Sequence, residues 1–236
     1  MANVNIKSKK ERTYDAIVIG SGASGGWAAK ELCDAGLKTL CLDRGRNVKH
    51  IEDYPTASKA PWEFEFRGSV PLEKRSGLQG GRWLRAQTIH WAMAEDEQPV
   101  IYEKPFSWFR GYHVGGKSKL WARQTQRWSD YDFEGPARDG FAVDWPIRYK
   151  DLDDWYTYVE KFAGISGDKD GLDVLPDGDF LPSFELNVVE KHFKESLKKH
   201  YGDSRHLIYA RCAHLTRPKE IHGQQGRGQC MSQGVI

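Results

Sequence analysis

Residues 14–45, YDAIVIGSGASGGWAAKELCDAGLKTLCLDRG, decide the fold. The run Ala16-Ile17-Val18-Ile19 is short, apolar and rich in β-branched residues, the pattern of a buried parallel strand. Gly20-Ser21-Gly22-Ala23-Ser24-Gly25 follows at once and fits G-x-G-x-x-G. Trp27, Ala28, Leu32 and Ala35 then recur at helical spacing, and Gly36 stops the helix. A second strand, Thr39-Leu40-Cys41-Leu42, ends at Asp43. Strand, glycine turn, helix, strand and acid stand complete and in order.

The chemistry of this unit is specific. Gly20 permits a tight turn. Gly22 carries no side chain, so a pyrophosphate can approach the backbone, and Gly25 lets helix and strand pack closely. Ala23 and Ser24 lie at the helix start, where free N–H groups and the positive dipole end favour phosphate. Asp43 stands about twenty residues on, where a carboxylate accepts hydrogen bonds from ribose hydroxyls. The flanking strands and the acid make dinucleotide binding the expectation. The alternative is a glycine-rich turn in an ordinary α/β domain.

Composition narrows the rest. The chain has 236 residues, including 9 Trp, enough for one large domain or two small ones. A net charge of +2 implies neither a nucleic-acid partner nor an anionic membrane surface. No apolar run reaches the length of a membrane span. The first residues, MANVNIKSKKERTYD, are polar and basic and lack the apolar core of a secretory signal. Of the four cysteines, Cys33 and Cys41 read as buried apolar thiols, and with Cys212 and Cys230 they show no paired spacing. The expected location is cytoplasmic, or outside the cell by way of an exported partner subunit.

Further along, residues 82–93 contain one element of undecided type. In residues 106–133 the pair Gly115-Gly116, followed by Lys117-Ser118, suggests a second close approach of backbone to ligand, with Ser118 starting a helix. The alternative there is a type II turn between core elements. Tyr149 to Gly164 reads as an amphipathic helix burying Leu152, Trp155, Tyr156, Val159 and Phe162. Asn187 to Tyr201 reads as another, with Asn187 and Glu190 as a capping box and Val189, Phe193 and Leu197 as the buried stripe. Leu207-Ile208-Tyr209-Ala210 reads as a strand. Trp83, Trp91, Trp108, Trp121 and Trp128 either line a sugar site or pack in the core. Arg123 and Arg127 either approach a ligand or form salt bridges.

The two glycine stretches together resemble the glucose-methanol-choline (GMC) family of flavin oxidoreductases, over Tyr14 to about Pro218. Asp43-Arg44-Gly45 stands where that family usually has Glu-Arg-Gly. Gly111-Tyr112-His113-Val114-Gly115-Gly116-Lys117-Ser118 is similar to its G-R-x-L-G-G-S-S segment, with Tyr112 and Lys117 as departures. Trp121, Trp145-Pro146-Ile147, Tyr149, Asp151-Leu152, Tyr156 and Val159-Glu160 are similar to the branch holding gluconate 2-dehydrogenase large subunits, glucoside 3-dehydrogenases and pyranose oxidases. The resemblance implies an α/β fold: a Rossmann-like FAD-binding βαβ domain with the start of a smaller α+β substrate domain. The expected divisions are a flexible lead-in over 1–13, an FAD-binding domain over 14–135, a partial substrate region over 136–222 with helices near 150–163 and 188–201, and an irregular end over 223–236.

It implies FAD held by Gly20, Gly22, Ala23, Ser24, Gly25, Asp43, Arg44, Gly115, Gly116, Ser118, Trp121 and Ala122. Some members bond flavin covalently through a His where this chain has Leu120, so the expected FAD is non-covalent. The implied reaction takes a hydride from an alcohol carbon of a sugar or polyol to flavin N5. The family's base is a His near the end of a longer chain. None of the eight histidines here takes that role, so no catalytic residue is named and this chain is expected to be the N-terminal part of a longer polypeptide. His90, His113, His192, His200 and His214 are expected at the surface or in packing. A small electron-transfer or export subunit is the implied partner; no metal, nucleic acid or membrane span is expected. Two other readings stand beside this one: a non-catalytic flavin-binding or assembly subunit, and a nicotinamide-dependent dehydrogenase with the same first turn.

Overall fold

Ala16–Ile19 forms strand β1 in the computed structural model, which describes residues 13–57, 59–75, 85–86, 89, 101, 103–104 and 111–230. Trp83, Trp91, Trp108, His90 and nearly all of the element expected over 82–93 lie outside the described residues. The chain divides into two compact units, Met1–Trp121 and Ala122–Ile236. The expected division followed residue 135.

In the first unit, β1 pairs in parallel with β2, Thr39–Leu42, Ala16 opposite Thr39 and Ile19 opposite Leu42. Helix α1, Ala23–Asp34, makes the crossover, and Gly36 turns the chain back toward β2. Val18 faces α1, since its Cγ1 lies 3.3 Å from where a methyl on Gly25 would sit. Side chains alternate along a strand, so Ile17 and Ile19 face the other way, 61% and 86% exposed. β1 is thus a strand as expected, but half of it is bare. Cys33 and Cys41 are exposed rather than buried. Two 3-10 turns, Pro61–Glu63 and Glu65–Gly68, and helix α2, Leu72–Arg75, follow. Phe64, Val70 and Ala86 form a small core here, with Ile89 packed against it.

The second unit holds α3, Asp130–Arg138, α4, Tyr149–Ala163, α5, Val188–Tyr201, and α6, Glu220–Gln224. Gly164 ends α4 in the left-handed region, and a methyl there would lie 2.2 Å from Leu215 Cδ2. Immediately after it, Ser166 pairs with both Leu181 and Cys212. Ser166 N–H donates to the Cys212 carbonyl at 2.8 Å, and Cys212 N–H returns the bond at 3.0 Å. These pairs take the place of the strand expected at 207–210: the ladder contact falls at Cys212, as single bridges. Phe133, Ile165, Leu181 and Leu215 are buried in this unit.

Two helix faces differ from their patterns. On α4, Trp155 and Val159 are exposed and Glu160 is buried. The reason is Arg127, whose guanidinium is buried beside α4 and needs acceptors there. Its Nε and Nη2 donate to the two Glu160 carboxylate oxygens at 2.8 and 2.7 Å, and Nη2 also reaches Thr157 Oγ1 at 2.9 Å. Its Nη1 donates to Tyr149 OH at 2.8 Å and to Asp153. All five N–H donors are therefore used. Arg127 thus takes the salt-bridging alternative. On α5, the capping box forms as expected, Glu190 N–H to Asn187 Oδ1 at 3.0 Å and Asn187 N–H to Glu190 Oε2 at 2.7 Å. Its stripe, however, leaves Val189 and Phe193 exposed. Trp128 packs edge-on against Phe133 and Trp145, at 5.7 and 6.3 Å between ring centres. No described helix is long and apolar enough to cross a membrane.

Candidate functional site

The site is built where two backbone turns of the first unit meet. The first runs from the end of β1 into α1. Gly20 sits at φ +91°, and its N–H donates to the Leu42 carbonyl at 2.6 Å. A methyl on Gly25 would stand 1.9 Å from the Gly20 carbonyl oxygen, so the turn closes onto the helix only because that carbon is missing.

The second turn is Tyr112–Lys119. Its entry is fixed by Arg46, which pairs in parallel with His113: Arg46 N–H donates to the Tyr112 carbonyl at 3.3 Å and Val114 N–H to the Arg46 carbonyl at 2.9 Å. Gly45 allows that approach, since a methyl on it would fall 2.5 Å from His113 N and Cα. A 3-10 turn, Gly116–Lys119, follows. Ser118 stands inside this turn and donates to the Gly115 carbonyl at 2.5 Å, so the helix expected to start at Ser118 starts earlier, with left-handed Gly115 as its cap.

The two turns touch. A methyl on Gly116 would sit 3.5 Å from Gly22 Cα, and Gly115 N–H donates to Ser21 Oγ at 2.8 Å. Between them opens a cleft of about 650 Å³. Gly20, Gly22, Asp43, Arg44 and Gly116 line it, as do Ile19, Leu42, Gly111, Tyr112, His113 and Lys117. A methyl on Gly22 would meet nothing within 4 Å, so its backbone is open to a ligand. Of the other residues expected at a site, Gly25 and Gly115 form the turns themselves. Ala23 and Ser24 are exposed in the first turn of α1, Trp121 is partly exposed outside the cleft lining, and Ala122 belongs to the second unit.

Asp43 is the charged centre. Its Oδ1 accepts from Gly45 N–H at 2.7 Å; its Oδ2 accepts from Ser21 N–H at 2.9 Å and from the Ser21 hydroxyl. Burial pushes this carboxyl up, but the Ser21 and Gly45 donors and the field of His113 outweigh it, leaving it below the usual carboxylate range. His113 is 1% exposed, and burial together with Arg46 and Lys119 lowers its imidazole below the ordinary value. It is neutral at pH 7. The Arg44 guanidinium lies over the Tyr112 ring, 4.6 Å from its centre. A face-on cation is thus present where the sequence motif departs from its pattern.

The expected set did not include Ser21, nor Ile19, Leu42, Gly111, Tyr112, His113 and Lys117 of the cleft lining; His113 is buried, one of the two placements expected for it. The signal for His113 was Gly45: a glycine directly after the acid and arginine marks a close backbone neighbour, though not which one. Among the described residues, no group of three or more His, Cys, Asp or Glu could hold a metal ion.

The chain is 28% identical over 214 residues to a 2-methyl-1,2-propanediol dehydrogenase of Mycolicibacterium austroafricanum, covering 87% of this chain and 34% of that one. It is a distant relative of dehydrogenases and oxidases. An oxygen-dependent choline dehydrogenase of Pseudomonas aeruginosa is 29% identical over 133 residues, covering 56% of this chain and 20% of its own. A 6'''-hydroxyparomomycin C oxidase of Streptomyces lividus is 28% identical over 162 residues, covering 66% and 24%. The chain therefore spans about a third of the first relative's length and less of the other two. No family model matches the chain.

Proposed function

We propose that this chain is the FAD-binding part of a GMC-type oxidoreductase acting on CH–OH groups, with a sugar or polyol as donor. One observation carries the reading: two glycine turns, more than ninety residues apart in sequence, meet through Gly115 N–H and Ser21 Oγ beside an open cleft that ends at an ionised Asp43. A cleft of a few hundred cubic ångströms with few, fixed polar groups suits a cofactor.

The residues fit the group. Gly20 makes the tight turn, and Gly22, Ala23, Ser24 and Gly25 bring backbone N–H groups and a helix start toward a pyrophosphate. Asp43 is placed to accept from a ribose hydroxyl. Gly115 and Gly116 form the opposite wall, with the cation of Arg44 nearby. Ile19 and Leu42 offer apolar surface along the cleft for a bound ring to cover. When bound, the flavin supplies the hydride acceptor, while this chain holds and orients it. Similarity to proteins named for a propanediol, choline and an aminoglycoside supports an alcohol donor.

The test is direct. The purified chain should be yellow, or should bind added FAD and not NAD, as read by flavin fluorescence. Denaturation should release all of the flavin, as a non-covalent cofactor requires. Tight NAD binding without FAD binding would overturn the proposal. A second reading, a flavin-binding or assembly subunit without turnover, draws on the burial of His113, the histidine that lines the cleft. Reduction of bound flavin by a sugar or polyol selects the first reading over the second.

A further inference from the structure

We infer that Ser21 is a positioning residue for the dinucleotide: its hydroxyl clasps Asp43 to the Gly115 turn and so holds both walls of the cleft in place. This inference rests on the FAD reading of the same cleft.

A hydroxyl carries a single proton. Gly115 N–H can only donate, so at 2.8 Å it fixes Ser21 Oγ as an acceptor. The Ser21 proton must then point to its other partner, Asp43 Oδ2. The relay has one polarity: Gly115 to Ser21 to Asp43. With Ser21 N–H and Gly45 N–H, the carboxylate accepts three donors from the chain itself. Oδ2 takes two of them and Oδ1 takes one, so the lone pair left for a ligand is on Oδ1. The clasp therefore chooses which oxygen meets the ribose. A carboxylate one methylene shorter than the usual Glu has less reach, and its orientation matters more.

The same hydroxyl ties together segments ninety-four residues apart. Without it, Gly115 N–H loses its acceptor, and the contact of Gly116 with Gly22 keeps only van der Waals support. Gly115 belongs to the turn whose other end is held by the Arg46–His113 pairing. Ser21 fixes the middle of that turn, and Lys119 Nζ, donating to the Val48 carbonyl at 3.1 Å, holds its far end.

The experiment compares the parent chain with Ser21→Ala and Ser21→Thr. Asp43 is titrated by carbon-13 NMR and Gly115 amide exchange is followed, both without ligand; FAD affinity is then measured by fluorescence. The charged or titratable groups facing Asp43 are His113 and Cys41, with Arg44 and Arg46 flanking it, and none of them is altered. In Ser21→Ala the Asp43 titration should move to higher pH, Gly115 exchange should accelerate, and FAD should bind roughly ten-fold more weakly, the loss expected for one hydrogen bond to a charged group. Ser21→Thr keeps the hydroxyl and should restore all three. An unmoved Asp43 titration with unchanged Gly115 exchange in Ser21→Ala overturns the clasp, as does failure of Ser21→Thr to restore them. If the parent itself binds no FAD, the functional reading falls, while the two ligand-free measurements still decide the clasp.

Discussion

Arg127 and Glu160 form a two-pronged ion pair, Nε to Oε1 and Nη2 to Oε2, with both side chains at most 5% exposed. Removing one partner leaves the other charge buried, which costs about 3–5 kcal/mol. In Glu160→Gln the guanidinium keeps Asp153, so the second unit should lose stability by less than that, about 1–3 kcal/mol. Urea unfolding checks it. A change under 1 kcal/mol would show that Asp153 alone compensates the guanidinium.

Gly25→Ala sets two effects against each other. Alanine in a helix gains about 1 kcal/mol over glycine. Against this stands a methyl 1.9 Å from the Gly20 carbonyl, a backbone atom that cannot rotate away. Overpacking of this kind costs about 1–3 kcal/mol. The clash should win, with lower stability and loss of FAD binding. A stabilised variant that still holds FAD would refute the close packing of turn and helix.

His113 predicts a pH dependence. Its folded-state value lies below the ordinary 6.5, so as pH falls beneath 6.5 the unfolded chain takes up a proton that the folded chain refuses. Stability should fall with decreasing pH in that window, by at most about 1.4 kcal/mol per pH unit for one group. His113→Gln should flatten the slope just below pH 6.5. Asp43 acts lower: its contribution is present above 3.8 and is lost as pH drops through its depressed folded value. An unchanged slope in His113→Gln would count against the neutral imidazole.

The thiols should separate by reactivity. Cys33 and Cys41 are exposed and Cys212 is buried. Burial and then Asp43 raise the Cys41 thiol, so less of it is thiolate at neutral pH. Maleimide labelling followed by mass mapping should give Cys33 first, Cys41 more slowly and Cys212 only after denaturation. Early labelling of Cys212 would contradict the paired segment around Ser166.

What could be read in the sequence follows from the range of the interactions. The βαβ unit was legible because its signals are local: a run of four apolar residues, a glycine at each steric pinch, an acid at the strand end. The helices Tyr149–Ala163 and Val188–Tyr201 were legible through their periodicity and, for the second, the Asn187–Glu190 cap. Their buried faces were not. Glu160 is inside because a distant guanidinium requires it, and no spacing along α4 records the position of Arg127. Ser21 was hidden in the same way. Within G-x-G-x-x-G it is a variable position, and its value comes from Asp43 and Gly115, far off in the chain. Cys33 and Cys41 were misjudged because apolar character alone stood in for knowledge of what packs against them.

Strand β1 sends Ile17 and Ile19 away from α1 into water, on a sheet of two strands among the described residues. Each strand of such a pair also keeps one backbone edge unmatched among the described residues. Sticky β-branched rows beside an open edge are where neighbouring molecules join and grow into precipitate. In concentrated solution this corner of the molecule will set the solubility ceiling, and Ile17→Lys, outside the cleft lining, is the smallest change that raises it.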